Sequence, residues 1–236
     1  MHVHEWGRRD DVPLLFWHAL GPDQSGAALA DVAPALVDSG FHVLSVDGPG
    51  FGRSPALRPE DYRLEALVER LYALVDDREL ERPVLAGHSW GGAVAVSYAG
   101  RYPDDVRALV LLDSGHIDYR DLADVDADRP ADAWIAGVRT SPDPRRAEAR
   151  GMAMAGLTAR VSDAWPAIAE HEIPTLLLLA TEPPHGDQNR EHIGRFRSAL
   201  PHAEIRWADG AGHGVLEDVG APLGDEIAGW LVEQGL

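Results

Sequence analysis

Residues 83–101 hold the feature that most restricts the fold of this chain, a short apolar run that meets a helix through a glycine-flanked serine. The run Val84-Leu85-Ala86 predicts a buried strand, and an Ala-rich helix follows the turn Gly87-His88-Ser89-Trp90-Gly91. Such an abrupt turn requires Gly two residues before and after its centre, because larger side chains would collide. The strained Ser89 would then expose its hydroxyl beside a helix amino terminus, which favours negative charge. We therefore predict that Ser89 is a nucleophile; the alternative is a turn in which Ser89 only caps the helix.

Apolar runs and helical periodicities alternate along the rest of the chain. Strands are predicted at 2–6, 14–17, 43–46, 84–86, 106–112, 174–180 and 204–207, and the clearest helices at 27–39, 64–75, 93–101, 188–200 and 221–232. This alternation predicts an α/β fold, with a mostly parallel sheet covered by helices on both faces. Ligands of such sheets bind at the carboxyl ends of the strands. Six polar residues lie just past the ends of predicted strands: His18, Asp47, Ser89, Asp113, Glu182 and His213.

Composition excludes several kinds of function. The 236 residues carry a net charge of −18, which disfavours nucleic acid and anionic membranes as partners. The chain contains no Cys and no Lys, so thiol nucleophiles, disulfides and Schiff-base chemistry are excluded. No apolar run approaches the roughly 20 residues of a membrane span. The amino terminus does not resemble a secretory signal, so we expect a cytoplasmic protein.

Neither a cofactor nor a metal ion is predicted. The glycines of residues 48–52 follow a strand, but their Gly-x-Gly-x-Gly spacing differs from the dinucleotide fingerprint. Pro49 also removes a backbone N–H that could face a phosphate. A surface turn is the better interpretation of this segment.

Residues 116–172 differ from the rest of the chain, since Asp, Arg and Pro are frequent and the strand pattern is lost. We predict that residues 1–115 and 173–236 form the core and that residues 116–172 form a small helical insertion. Within it, Trp134, Met152 and Met154 are candidates to line an apolar substrate pocket, although core packing would explain each of them equally well.

Four segments together resemble the α/β-hydrolase fold family, in the family's order: His18-Ala19-Leu20-Gly21, residues 47–54, residues 87–92 and Gly210-Ala211-Gly212-His213. The resemblance covers nearly the whole chain. It implies Ser89 as nucleophile, His213 as general base and the backbone N–H groups of Leu20 and Trp90 as an oxyanion hole. It also implies that residues 116–172 are a helical cap.

The acidic member of the triad has two candidates. The family commonly places it after the strand at 174–180, where this chain has Glu182, with Pro183 at the expected carboxylate position. Some members carry it at the end of the preceding strand, which matches Asp113. We favour Asp113 over Glu182, with Asp187 as a third choice. Either of the first two could orient the imidazole and stabilise its cation.

The resemblance implies a metal-independent serine hydrolase that cleaves a small ester, lactone or thioester through an acyl-enzyme. The alternatives on the same triad are hydrolysis of a carbon–carbon bond and formation of a peracid. A third alternative is a ligand-binding or sensing protein that retains the hydrolase site. In each case the partner is a small molecule, and no oligomeric state is assigned.

Overall fold

A seven-stranded sheet forms the centre of the computed structural model, which describes residues 1–21, 23–121, 144–157 and 159–236. The strands are β1 (Val3–Trp6), β2 (Val12–Trp17), β3 (Phe41–Val46), β4 (Val84–His88), β5 (Ala108–Leu112), β6 (Thr175–Ala180) and β7 (Glu204–Ala208). Their order is β1-β3-β2-β4-β5-β6-β7. Only the pairing of the edge strand β1 with β3 is antiparallel among these strands. The predicted α/β fold with a mostly parallel sheet is confirmed.

Helices and short 3₁₀ turns connect the strands. The α-helices of the described residues are α1 (Ala33–Asp38), α2 (Leu64–Asp77), α3 (Trp90–Arg101), α4 (Pro144–Gly156), α5 (Trp165–Glu170), α6 (His185–Ala199), α7 (Val215–Val219) and α8 (Ala221–Glu233). None of them combines the length and the apolar character that a membrane crossing requires.

Two hydrophobic cores lie on opposite faces of the sheet, because successive side chains of a strand alternate between its faces. In β2, Leu15 and Trp17 belong to one core, together with α2, α3 and α6. Leu14 and Phe16 belong to the other core, which α1 and α8 cover. This two-sided burial explains why the central strands read as continuous apolar runs rather than alternating ones.

The strand order reverses between β2 and β4. The chain passes from β2 outward to β3 and then returns to the far side of β2 to form β4. Loops at such a reversal separate to opposite faces and leave a crevice at the carboxyl ends of the strands. The segment after β2 and the serine turn after β4 therefore border the same crevice.

The predicted helix at 27–39 is wrong in its extent. The structure has a 3₁₀ turn at Gly26–Leu29 and then the short helix α1, with Pro34 in its first turn. A proline cannot donate the backbone hydrogen bond that a continuous helix would need there, whereas it is well tolerated in a first turn.

Part of the predicted insertion lies in the described residues. Helices α4 and α5 fall within 116–172, and α4 packs against the 3₁₀ turn Pro59–Tyr62, where Gly156 lies against the backbone of Tyr62. The division into a core and a cap remains a prediction, and Trp134 lies outside the described residues.

Two glycines of α8 provide a matched test of the packing between α1 and α8. A Cβ on Gly224 would lie 2.5 Å from the Val32 carbonyl oxygen, whereas a Cβ on the exposed Gly229 would meet no atom within 4 Å in the described structure. We predict that Gly224→Ala lowers the free energy of unfolding by about 1–3 kcal/mol through overpacking. Gly229→Ala should raise it by about 0.5–1 kcal/mol, because Ala has the higher helix propensity. Urea unfolding of both variants would measure this, and equal effects would contradict the packing described.

Candidate active site

The serine turn after β4 has the strained geometry that its glycines predicted. Ser89 has φ 52° and ψ −113°, a backbone conformation that L-residues rarely adopt. A Cβ on Gly87 would lie 2.3 Å from the carbonyl oxygen of Gly91, and a Cβ on Gly91 would lie 1.9 Å from that of Trp17. Only Gly fits at either position, so the turn cannot relax and the Ser89 side chain is held over the carboxyl ends of the strands.

The structure brings Ser89, His213 and Asp113 together, although they are far apart in sequence. Ser89 Oγ lies 2.8 Å from His213 Nε2, and His213 Nδ1 lies 2.6 Å from Asp113 Oδ2. An ionised carboxylate only accepts hydrogen bonds, so Nδ1 carries the imidazole proton and Nε2 is free to accept the hydroxyl proton. This is the geometry that nucleophilic catalysis by a serine requires.

Asp113 is a buried carboxylate at the carboxyl end of β5, and three groups donate hydrogen bonds to it. Besides His213, these are the backbone N–H of Ala180 at 2.9 Å and Asn189 Nδ2 at 2.6 Å, both to Oδ1. Burial raises the pKa of Asp113, but the hydrogen bond and charge of His213, together with the other two donors, outweigh it and lower the pKa. The carboxylate is therefore ionised at neutral pH.

The second acid candidate, Glu182, has a different environment. It is exposed, and its backbone N–H donates to the Ala211 carbonyl oxygen. The contact to His213 Nδ1 comes from Asp113. Asp187 is also exposed and forms an ion pair with Arg190 at 3.2 Å. The geometry therefore favours Asp113 as the acid.

A buried hydrogen-bond chain extends behind Asp113. Asn189, on α6, donates to both Asp113 and the Ala180 carbonyl oxygen, and its own Oδ1 lies 2.9 Å from His116 Nε2. Because the Asn189 amide already donates both hydrogens, Oδ1 accepts and His116 Nε2 donates. Our sequence analysis missed Asn189, whose only signal was that no other Asn occurs in the chain.

His88 fixes the loop that carries His213. Its Nε2–H donates to the His213 carbonyl oxygen at 2.5 Å. Complete burial lowers the pKa of His88 to about 4, and the neighbouring His213 contributes in the same direction. The ring is therefore neutral at neutral pH and places no second positive charge beside His213 when that residue is protonated. This contact indicates a structural role for His88.

The predicted oxyanion donors come from the two segments that border the crevice. Trp90 is the first residue of α3, so its N–H has no partner within the helix. Leu20 lies in the loop after β2, where His18 accepts from the Gly48 N–H at 2.9 Å and contacts the Ala19 carbonyl oxygen at 2.6 Å. The indole of Trp90 packs against Trp17 and holds the start of α3 in place. The assignment of both N–H groups as an oxyanion hole remains a prediction.

A cavity of about 490 Å³ opens directly in front of Ser89, a size typical of small-molecule sites. Its walls are mostly apolar and include Leu20, Met154 and Leu157. Met152, a second of the three predicted pocket residues, is buried in the core instead. Side chains two positions apart in a helix point about 200° apart around its axis. Met152 and Met154 therefore face opposite sides of α4.

Two further residues of this site escaped the sequence analysis. The Tyr119 hydroxyl lies 3.3 Å from Ser89 Oγ, and burial raises the pKa of Tyr119, so the hydroxyl stays protonated. The His185 ring stacks on His213, with centroids 4.2 Å apart. Neither position belonged to a recognisable motif, because Tyr119 lies in the predicted insertion and His185 begins α6.

Within the described part of the chain, two groups of residues have the donor atoms to hold a metal ion: His2, His4 and Asp47, and Asp113, His185 and His213. In the first, the Asp47 oxygens already accept hydrogen bonds from His4 and from the backbone N–H groups of Gly26 and Arg53. Burial raises the pKa of Asp47, yet these hydrogen bonds outweigh it and lower the pKa. Such a carboxylate holds its loop in place, which agrees with a structural role for Asp47.

Another cavity, of about 420 Å³, lies at the amino ends of the strands, away from Ser89. Charged side chains line it, and several already pair with one another, such as Arg78 with Glu5 at 3.4 Å. We therefore regard the crevice at Ser89 as the candidate site.

Comparison with known proteins gives one family. The sequence profile of a family described as "alpha/beta hydrolase fold" matches residues 12–142. Lipase 1 of Psychrobacter immobilis is 38% identical over 103 residues, which cover 43% of this chain and 31% of the lipase. A 2-hydroxy-6-oxononadienedioate/2-hydroxy-6-oxononatrienedioate hydrolase of a Pseudomonas species is 33% identical over 118 residues, covering 50% of this chain and 41% of that protein. The matches thus span less than half of each relative's length.

Comparison of the folds finds a similarity that covers nearly the whole chain. A crystal structure from a study of carboxylesterases of Nitrososphaera gargenis superposes with a TM-score of 0.78 at 18% identity, covering 98% of this chain and 93% of its own.

Substitution of the two acid candidates tests the site described here. Asp113→Asn keeps the shape of the side chain but removes the charge that fixes and stabilises the imidazole. We predict that it lowers kcat for a p-nitrophenyl ester about 10⁴-fold, and that Glu182→Gln changes kcat by less than about threefold. Circular dichroism would establish that both variants are folded. A larger loss in Glu182→Gln would contradict the geometry.

Proposed function

The chain belongs to the α/β-hydrolase fold family, and on that premise we propose that it is a metal-independent serine hydrolase of a small ester, lactone or thioester. The observation that carries the proposal is the continuous hydrogen-bonded path from Ser89 Oγ through His213 to Asp113, at 2.8 and 2.6 Å. A serine hydroxyl is too weak an acid to attack a carbonyl unaided, and this path supplies the base.

In the proposed reaction, Ser89 Oγ attacks the substrate carbonyl carbon while His213 Nε2 accepts the hydroxyl proton. Asp113 stabilises the resulting imidazolium through its hydrogen bond to Nδ1. His213 then donates the proton to the leaving alcohol or thiol, and an acyl group remains on Ser89. A water molecule, deprotonated by His213, releases the acid in a second addition and elimination.

The negative charge of each tetrahedral intermediate needs donors that are already in position. The N–H groups of Leu20 and Trp90 are proposed for this role, and losing one such donor costs roughly 10²–10³-fold in rate. The Tyr119 hydroxyl is a further donor beside Ser89 Oγ. The mostly apolar cavity in front of Ser89 would hold the rest of the substrate and exclude bulk water.

The lipase among the relatives supports an ester substrate, and the other curated relative favours a second candidate. That relative is named as a hydrolase of a 2-hydroxy-6-oxo dienedioate, whose cleaved bond joins two carbons. The same triad could add to such a ketone if the carbon leaving group were protonated as it departs. Turnover of a 2-hydroxy-6-oxo dienoate at a rate above that of any ester would favour this candidate.

Hydrolysis of short-chain p-nitrophenyl esters tests the proposal. We predict that Ser89→Ala lowers kcat/KM at least about 10³-fold, because the nucleophile is lost. Ser198→Ala is the matched control, since Ser198 is an exposed serine on α6 that donates only to the Gly194 carbonyl oxygen. It should leave activity within about twofold. A wild-type protein inactive on every ester would favour a ligand-binding protein, and unchanged activity of Ser89→Ala would contradict the proposed nucleophile.

A further inference from the structure

Arg150 lies in the wall of the candidate site without an ion-pair partner among the residues that the structure describes. Its side chain lines the same cavity as Ser89 and His213. Its Nε is buried and has no hydrogen-bond partner among the residues that the structure describes. Burying a hydrogen-bond donor of a charged group without a partner costs free energy. A bound ligand that supplies an acceptor would remove this cost.

The helix α4 holds Arg150 at a defined place. Arg150 and Met154 are four residues apart and therefore share one face of α4, and Leu157 follows directly after the helix. All three line the cavity. A neighbouring face of the helix is fixed to the core, where Ala149 and Ala153 are fully buried. The packing of α4 against the core therefore fixes the backbone of Arg150 at the cavity wall.

Other arginines of the described structure have the carboxylate partner that Arg150 lacks there. Arg78, Arg195 and Arg206 each lie within 4.0 Å of at least one carboxylate oxygen. No carboxylate of the described residues comes within that distance of Arg150. The carboxylate that lines the same cavity belongs to Glu217, which is exposed and accepts a hydrogen bond from Gln24 at 2.5 Å.

We propose that the substrate carries a carboxylate, separate from the bond that is cleaved, and that this carboxylate pairs with Arg150. The inference rests on the proposed function, because it uses the same cavity and the same nucleophile. A guanidinium binds a carboxylate through two parallel hydrogen bonds, which fixes the orientation of the substrate as well as its charge.

A carboxylate fits this cavity better than a phosphate group does. Among the described residues, the cavity wall contains one arginine, Arg150, and one carboxylate, that of Glu217. The single guanidinium charge equals the charge of a carboxylate in magnitude, whereas a phosphate dianion exceeds it and is repelled twice as strongly by Glu217. The apolar wall formed by Leu20, Met154 and Leu157 suits a hydrocarbon spacer between the carboxylate and the reacting carbonyl.

Two esters of equal chain length test the inference. Mono-p-nitrophenyl adipate carries a terminal carboxylate, and p-nitrophenyl methyl adipate has the same chain with that carboxylate capped. We expect the wild type to have a kcat/KM at least about tenfold higher for the acid. Pimelate and suberate analogues would cover longer spacings between the two groups.

Variants of Arg150 test whether this residue causes the preference for the anionic ester. Arg150→Gln should lower kcat/KM for the anionic ester about 10- to 100-fold and leave the capped ester within about threefold. Arg150→Lys, which keeps the charge but not the planar fork, should show an intermediate loss. Arg197→Gln is the matched control, because it removes the same charge from an exposed position on α6 and should change neither ester. Equal losses for both esters in Arg150→Gln, or a wild-type preference for the capped ester, would overturn the inference.

A binding measurement separates this inference from the proposed reaction. In a Ser89→Ala background, saturation-transfer NMR with monomethyl adipate should detect binding that Arg150→Gln weakens at least about tenfold. Equal binding in the two variants would overturn the inference even if ester hydrolysis were intact. Weakened binding without hydrolysis of any ester would uphold the carboxylate subsite and reject the proposed reaction.

Discussion

Steric crowding at the turn after β4 is the constraint on which the rest of the site depends. Gly87 and Gly91 lie so close to each other and to Trp17 that a single added carbon at either glycine would approach a carbonyl oxygen within 2.3 Å. The turn therefore keeps Ser89 at φ 52°, and the strain is held by the central strand of the sheet. The position of β4 next to the reversal of strand order also brings the loop after β2 alongside, so that Ser89 and both proposed oxyanion donors border one crevice.

Hydrogen bonds and charge hold Asp113 and His213 in place beside the turn. Asp113 is a buried charge, and donors from three different parts of the chain hold it: the His213 ring, the backbone at the end of β6, and Asn189 on α6. Each donor lowers the pKa of the carboxyl group, and together they orient the oxygen that faces His213. His88, which burial keeps neutral, holds the His213 backbone from the serine turn itself. The serine turn and the His213 loop are thus joined by this backbone contact as well as by the hydrogen bond between Ser89 and His213.

Much of the fold could be predicted from the sequence, because strands buried on both faces are continuous apolar runs with turn residues at their ends. The meeting of Ser89 and His213 at one edge of the sheet was predictable for the same reason, because both residues lie just past the ends of strands. Two carboxylates also follow strands, however, and only the packing of β5 against β6 places Asp113, and not Glu182, against His213 Nδ1. Side chains that act from helices were harder to find: Asn189 and Arg150 belong to no motif, and the rotation of α4 decides that Met154 lines the cavity while Met152 does not. The helix predicted at 27–39 failed because Pro34 permits only a new first turn at its position.

The central claim is that Ser89 is activated by His213 across a 2.8 Å hydrogen bond. Labelling with a fluorophosphonate, followed by intact-mass and peptide analysis, tests it most directly, because the reagent reports the nucleophile without requiring the natural substrate. We expect one adduct per chain, located on Ser89, and labelling at least about 10³-fold slower in His213→Gln. An adduct on another residue, or labelling of Ser89 at the same rate without the imidazole, would contradict the account.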